Sequence, residues 1–349
     1  MSFISKIKKE KNRPLFVLAP MADVTDVAFR TVISDAMSPD IYWTEFVSAD
    51  GLIRATASGK YKLQKDLLYD REKQRPIIAQ LFSSTYKYMY EATKLCIELG
   101  FDGVDINMGC PDRSIEKQKS GAAMMKNPDL AIDVIKAVKD ARRDFCEGGD
   151  SADFAVTVKT RVGYNSVELD TWIPLLLDQE VDLITIHART RKEMSKVDAD
   201  WSHVKTVVNM RDAWALNNED KKAPLIFGNG DVKDIKDAYE KSMTYGCDGA
   251  MIGRAMFGNP WLFKDIECIE KGDFDFKDKF TPSREERIKS LIKQVEIFDR
   301  ELGDVKSFAL MKKFFKTYMT GFDDAKEIRE AIMSMGRAEE VLGFLRGRV

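Results

Sequence analysis

The sequence predicts an α/β chain folded as a (β/α)8 TIM barrel followed by a C-terminal all-helical domain. Three observations lead there. Eight short apolar runs alternate with helically patterned segments over about the first 260 residues. Polar residues recur where those runs end: Met21, Gln80, Asn107, Lys159, His187, Asn229 and Arg254. After Pro260-Trp261 the composition shifts to charged, purely helical patterning. A doubly wound open sheet is the alternative, but only a barrel brings all seven polar positions to one mouth.

Taken in order, residues 15–20 (LFVLAP) form the first strand and Pro20-Met21-Ala22 carry the chain off it. Val24, Val27, Ala28 and Val32 then follow helical spacing, with Asp23 or Thr25 available as cap. The run 41–46 (IYWTEF) places Glu45 at a strand end, and PIIAQLF (76–82) is the third strand, with Gln80 near its end. Helix 85–99 carries Met89, Ala92, Leu95, Cys96 and Leu99 on one stripe and stops at Gly100, so Cys96 is a core residue. DGVDINMGCP (102–111) alternates through Val104 and Ile106 and breaks at Gly109 and Pro111, which leaves the Cys110 thiol at a strand end. A charged loop, 112–121, is a candidate lid, and Asn127-Pro128 opens the next helix. FAVTVK (154–159), VDLITIH (181–187), APLIFGNGD (223–231) and CDGAMIGRA (247–255) are strands five to eight. They end at Lys159 with Arg161 just beyond, at His187, in a Gly-rich turn, and at Gly253-Arg254.

The expected domains are 1–270 for the barrel, 271–283 for a linker and 284–349 for the helical unit. Residues 281–349 hold 14 Lys+Arg and 12 Asp+Glu, a balance of +2, so the remainder of a chain of net charge −2 stands at −4. That total argues against indiscriminate nucleic-acid binding while permitting a local basic face. No apolar run approaches about 18 residues, so no membrane segment is expected. Lys6 to Arg13 followed by LFVLAPMA imitates a signal peptide, but the apolar run stops at Asp23 and reads as a strand. A cytoplasmic protein is expected. Five scattered cysteines, none spaced as CxxC, and two histidines support neither a metal site nor a disulfide framework.

The chemistry follows from the strand ends. Loops after strands seven and eight of a barrel often bind phosphate through Gly amides and a helix dipole. Asn229-Gly230-Asp231 and Gly253-Arg254 are those loops here; each alone is also ordinary turn chemistry, but the pair with Arg254 implies a phosphorylated cofactor. Lys159 is either a surface lysine or, with Gln80, a clamp on the polar edge of a flavin, where a cation stabilises the anionic reduced ring. His187 carries the same two readings. Cys110 suits a general acid, since a thiol of pKa about 8.5 is protonated at neutral pH; His187 nearby would instead permit a thiolate nucleophile.

APMADVTDVAFR (19–30), AQLFSS (79–84), DGVDINMGCP with KSGAAMMKNP (119–128), VTVKTRVGY (156–164), IHARTR (186–191), GNGD (228–231) and DGAMIGRAMFGNPWLF (248–263) occur in this order. Together they resemble the tRNA-dihydrouridine synthases over essentially the whole chain, with GCP followed by KSGAA as the most specific piece. The resemblance implies FMN contacted by Pro20, Met21, Ala22, Gln80, Lys159, His187, Asn229, Gly230, Asp231, Gly253 and Arg254. It implies hydride transfer from reduced FMN to C6 of a tRNA uridine, protonation of C5 by Cys110, and reduction of the flavin by NADPH or NADH. It further implies a uridine turned out of folded tRNA and a C-terminal helical domain that grips the RNA. Substrate contacts are expected from Asn107, Arg161, Arg189, Arg191, Lys312, Lys313 and Lys316. The last three, with Lys306, lie in the acid-free span 305–322, which reads equally as a solvated basic face. Unlike many family members, this chain has no His after His203.

The rival enzyme is an FMN barrel acting on a free pyrimidine, of dihydroorotate or dihydropyrimidine type, which would not require the helical domain. An RNA-binding protein without catalysis is the rival of another class, against which stand Cys110, Lys159 and His187 together. No obligatory protein partner is evident.

Overall fold

The computed structural model describes residues 2–146 and 153–349. Its strands are β1 (Leu15–Leu18), β2 (Tyr42–Ser48), β3 (Ile77–Phe82), β4 (Gly103–Met108), β5 (Ala155–Arg161), β6 (Leu183–His187), β7 (Leu225–Asn229) and β8 (Gly249–Ile252). All pair in parallel in the order β1-β8-β7-β6-β5-β4-β3-β2. The two end strands meet through a parallel bridge, Val17 to Ile41, where Leu18 N–H donates to Ile41 O at 3.4 Å. The sheet therefore closes into the expected barrel.

Fifteen α-helices surround or follow it among the described residues. They are α1 (Phe3–Lys11), α2 (Val27–Ala36), α3 (Ala49–Arg54), α4 (Ala57–Lys65), α5 (Tyr86–Glu98), α6 (Arg113–Lys117), α7 (Pro128–Phe145), α8 (Leu169–Leu177), α9 (Ser202–Leu216), α10 (Ile235–Tyr245) and α11 (Ile266–Glu270), then α12 (Arg284–Leu302), α13 (Lys312–Tyr318), α14 (Ala325–Ser334) and α15 (Ala338–Arg346). Local sequence explains their ends. Pro128 begins α7, where its missing N–H costs nothing, and the stripe Ala131, Val134, Ile135 and Val138 buries against the sheet. Asp234 caps α10 by accepting from Asp237 N–H, and Ser283 with Glu286 forms a reciprocal capping box at α12.

Side chains alternate along each strand, and the two faces meet different surroundings. Val104, Ile106 and Met108 pack outward under the helices. A second cluster fills the barrel's lower interior with Leu15, Val17, Trp43, Ile78, Ala155, Leu183, Phe227 and Met251, joined by Ile4 from α1. Helix α1 thus plugs the bottom. Two residues further along each strand the same interior face turns polar, at Gln80, Asp105, Thr157 and Thr185, and then at Asn107, Lys159, His187 and Asn229. One end of the barrel is an apolar floor and the other a polar mouth.

Several elements differ from expectation. The basic stretch before β1 is helix α1, whose apolar Phe3, Ile4 and Ile7 are hidden among lysines in the sequence. Gly51 to Asp66 resolves into α3 and α4, and the charged loop 112–121 contains α6. Glu45 lies inside β2 and is buried, while β5 runs two residues past Lys159 to Arg161.

The C-terminal helices share one continuous apolar cluster with the barrel's outer layer. Helix α12 packs on α2, Phe314 meets Phe29 at 5.2 Å and Phe257 at 5.8 Å, and Trp261 meets Tyr318 edge-on at 6.0 Å. Burial of an aromatic ring such as Phe314 or Phe315 contributes roughly 1.5–3 kcal/mol, so this contact is a firm one. The connecting segment 271–283 is pinned as well, since Phe276 is buried and Phe280 lies under Lys264 Nζ at 3.8 Å. Among the described residues no helix is long and apolar enough to cross a membrane.

Candidate active site

The polar mouth opens into a cavity of about 320 Å3. Its walls come from six strand ends: Ala19, Pro20 and Met21 after β1, Pro111 after β4, Lys159 and Arg161 on β5, His187, Arg189 and Met194 around β6, and Asn229, Gly230, Asp231, Gly253 and Arg254 after β7 and β8. Register explains the convergence. Arg161 lies beside His187, His187 beside Asn229, and Asn229 beside Met251.

Beneath the cavity runs a chain of side-chain hydrogen bonds. Thr157 Oγ1 donates to Asp105 Oδ1 (2.6 Å), Gln80 Nε2 to Asp105 Oδ2 (2.6 Å), and Asn107 Nδ2 to Gln80 Oε1 (3.0 Å). Asn107 Oδ1 then accepts the backbone N–H of Gly109 (3.1 Å) and of Cys110 (2.9 Å). From the other side Arg161 Nε donates to Gly109 O at 2.7 Å, while its Nη1 reaches Thr190 O (3.2 Å) and Met194 O (3.1 Å). The turn that carries Cys110 is held by strands β4 and β5 together. Its downstream partner fits as closely: Gly121 has φ +62°, and a Cβ there would stand 2.7 Å from Cys110 O, which Ala122 N–H caps at 2.9 Å. KSGAA is the piece that lets the chain return beneath the thiol.

Burial raises the Cys110 thiol above its ordinary pKa; a hydrogen bond from the Asp112 backbone opposes it, the Asp112 carboxylate adds to it, and Arg161 and Lys159 oppose it. The thiol therefore stays protonated at neutral pH. Burial pushes Lys159 down to about 8, assisted by Arg161, and it donates no hydrogen bond to the described residues. Arg161 falls to about 10 through burial. His187 is held well below its usual value by burial and then by Lys159, Arg161, Arg189 and Arg254, so it is neutral; Arg189 Nη1 lies 3.3 Å from its Nε2. Burial raises Asp231, but Ala199 N–H, Arg189 and Arg254 outweigh it and leave the carboxyl below its usual range. The mouth thus carries more positive than negative charge.

At Gly230 φ is +121°, and a Cβ would come within 2.8 Å of Ala199 Cβ and 3.2 Å of His187 Cδ2, so only glycine closes this turn. A glycine turn beside Arg254 and an unpaired Lys159 is a donor set for an anion.

The sequence model of the dihydrouridine synthase (Dus) family matches residues 17–347. The chain belongs to the dihydrouridine synthase family. It is 33% identical over 338 residues, 96% of this chain and 93% of the relative, to the Staphylococcus aureus (strain COL) protein named "Probable tRNA-dihydrouridine synthase". It is 34% identical over 339 residues, 97% of this chain and 94% of the relative, to the Bacillus subtilis (strain 168) "Probable tRNA-dihydrouridine synthase 2". In fold it is similar to 2-naphthoyl-CoA reductase, with a TM-score of 0.50 at 12% identity, covering 74% of this chain and 50% of that one. Family membership carries with it a flavin-dependent oxidoreductase, and the free-pyrimidine alternative is not favoured.

The expected residues divide into groups. Pro20, Met21, Lys159, Arg161, His187, Arg189, Asn229, Gly230, Asp231, Gly253 and Arg254 line the cavity. Gln80 and Asn107 form the layer that supports it, Cys110 sits on the turn that Asn107 holds, next to the lining residue Pro111, and Ala22 is exposed outside it. Arg189 is buried and committed to Asp231 and to Val197 O (2.6 Å), while Arg191 pairs with Glu116 and stacks 5.2 Å over Tyr164. Lys312 donates to Met333 O at 2.9 Å, Lys313 is half-buried, and Lys316 is exposed. Lys306, grouped with these in the sequence, is half-buried among carboxylates instead. Sequence reasoning also missed Asp105, although its period-two spacing from Asn107 was the signal that both face inward.

Proposed function

We propose that this protein is a tRNA-dihydrouridine synthase that reduces the C5=C6 bond of particular tRNA uridines with FMN as cofactor and NADPH or NADH as electron source. The observation that carries it is the Cys110 turn, fastened by Asn107 and Arg161 at the rim of a cationic cavity with a glycine cradle. Gly230, Asp231, Gly253 and Arg254 would hold the FMN phosphate, and Lys159, His187 and Asn229 the ring's polar edge, with Pro20 and Met21 as a wall and Ala22 at its outer margin. Gln80 reaches that edge with the amide hydrogen that Asp105 leaves over. When bound, reduced FMN supplies the hydride for C6.

The protein's own groups do the rest. Cys110 Sγ–H keeps its proton through burial, delivers it to C5, and is reprotonated from solvent. Lys159, lacking an anionic partner of its own, is left to neutralise charge that develops on the ring. Asn107 and Arg161 orient the thiol and present their remaining donors to the uracil. Residues 1–270 are the catalytic unit, 271–283 the connection and 284–349 the unit that grips tRNA. Arg189 and Arg191 shape the loop at the RNA-facing rim, and Lys312, Lys313 and Lys316 line the approach from the C-terminal unit, with Lys316 the most accessible. We infer a cytoplasmic location from the tRNA substrate.

The test is nucleoside mass spectrometry of tRNA from cells with and without the protein, and with Cys110→Ala. Loss of dihydrouridine at defined positions is expected in the deletion. Cys110→Ala should retain flavin and lower turnover at least about 100-fold; a variant that reduces uridine undiminished would remove the thiol from the mechanism.

A further inference from the structure

The seam between barrel and C-terminal helices holds a cluster of charges that the mouth does not use. Lys306 follows α12, its side chain is 12% exposed, and its ammonium reaches Asp66 at 2.7 Å, Glu45 at 2.8 Å and Asp23 at 3.6 Å. Those carboxylates come from the end of α4, from β2, and from the turn after β1. Arg30, Asp26 and Lys313 complete the surroundings.

Glu45 connects this cluster to the cavity. Its second oxygen accepts the backbone N–H of Asp23, a residue in the left-handed region at φ +56°. Asp23 closes the turn from Pro20, within which Met21 N–H donates to Thr25 Oγ1 (2.9 Å) and Met21 O accepts from Thr25 N–H (3.0 Å). Pro20 and Met21 line the cavity. A non-glycine residue persists in that conformation only where its neighbours hold it, and here the holder is a carboxylate. Burial, against which Lys306 works, still pushes that carboxyl up to about 7. Without an adjacent cation Glu45 would sit as a neutral acid at neutral pH, and its charge-assisted grip on Asp23 would be lost.

We propose that Lys306 is a positioning residue for the cofactor pocket: by pairing with Glu45, the C-terminal unit fixes the Pro20–Asp23 turn that walls the flavin site. The proposal rests on the FMN reading above. It gives the helical unit a role in cofactor retention distinct from gripping RNA.

The experiment uses full-length protein stripped of flavin: wild type, Lys306→Met, Lys306→Arg and Glu45→Gln. FMN is titrated by quenching of flavin fluorescence, and amide hydrogen exchange is followed in the flavin-free proteins. Lys306→Met is expected to raise the FMN Kd at least about tenfold, since one partner of a buried pair is gone. It should speed exchange across residues 19–29 while residues 225–231 keep the wild-type rate. Lys306→Arg should return the Kd to within about threefold, because the charge is restored. Glu45→Gln should weaken FMN in the same direction, and it carries the test if Lys306→Met does not fold. Folded variants with wild-type Kd and exchange would overturn the proposal, as would exchange that rises equally at all cavity walls, the mark of a pair that only stabilises the fold. Wild-type protein that takes up no FMN would sink the cofactor reading instead, and the exchange arm would still decide the role of Lys306.

Discussion

The mouth and the seam each enclose a lysine, and they treat it in opposite ways. Lys306 has three carboxylates around its ammonium and is raised above its ordinary pKa against the pull of burial. Lys159 is lowered to about 8 by burial, then by Arg161, with only Asp105 and Cys110 opposing from a distance. Burial of a cation is costly unless it is paired. A paired one is part of the scaffold. An unpaired one at a cavity wall is unfinished until an anion arrives, and this difference separates structural from ligand-directed charge without reference to any relative.

The comparison is most easily broken by stability. Removing the ammonium from the seam strands the buried Glu45 carboxylate, so Lys306→Met should cost about 3–5 kcal/mol in urea unfolding of flavin-free protein. Lys159→Met removes a charge with nothing to lose and should leave stability unchanged within about 1 kcal/mol or raise it. Equal losses from the two substitutions would erase the distinction.

Legibility follows the same boundary. The barrel was readable because its elements announce themselves over a few residues: Val104 and Ile106 alternate, Asn127-Pro128 opens a helix, and Gly246 closes one. The mouth was readable because strand ends of a parallel barrel converge wherever they fall in the chain, which is how Lys159, Arg161, His187, Asn229 and Arg254 came together. The seam was not. Lys306 stands 261 residues from Glu45, in a span without acids, so local charge balance showed a free basic face where the fold supplies three carboxylates. Helix α1 failed to announce itself for a related reason, since its few buried apolar residues are diluted by lysines that face solvent. Patterns of adjacency reveal elements and their ends; pairings that exist only after closure do not register in them.

Cofactor binding sharpens the contrast next. If Lys159 awaits an anionic ring edge, Lys159→Met should forfeit one charge-assisted hydrogen bond, about 1.5–3 kcal/mol, which is roughly a tenfold to hundredfold rise in FMN Kd. Lys306→Met should also weaken FMN, but only together with the stability loss above. A titration in which Lys159→Met binds FMN as tightly as wild type would make that lysine an ordinary rim residue.

The smallest effect is a pH dependence whose sign distinguishes the two lysines. In flavin-free protein Lys159 has a folded pKa of about 8 against 10.5 for the ordinary side chain. Below pH 8 both states are protonated and the burial penalty is fully present. Between 8 and 10.5 the unfolded chain binds the proton and the folded one does not, so stability rises with pH. Arg161, Asp105 and Cys110 are the groups that act on it. Asp105, raised to about 6 by burial, titrates below this window, whereas the Cys110 thiol is raised by burial and acts on Lys159, so the measurement belongs in a Cys110→Ala background. There, the stability of the Lys159-containing protein relative to Lys159→Met should climb as pH goes from 7.5 to about 10. Lys306, with its pKa raised, has no such window below its ordinary value, so its own ionisation adds no rise there. A flat difference for Lys159 would mean that its charge is compensated in the empty mouth, and the argument that it waits for an anion would fail with it.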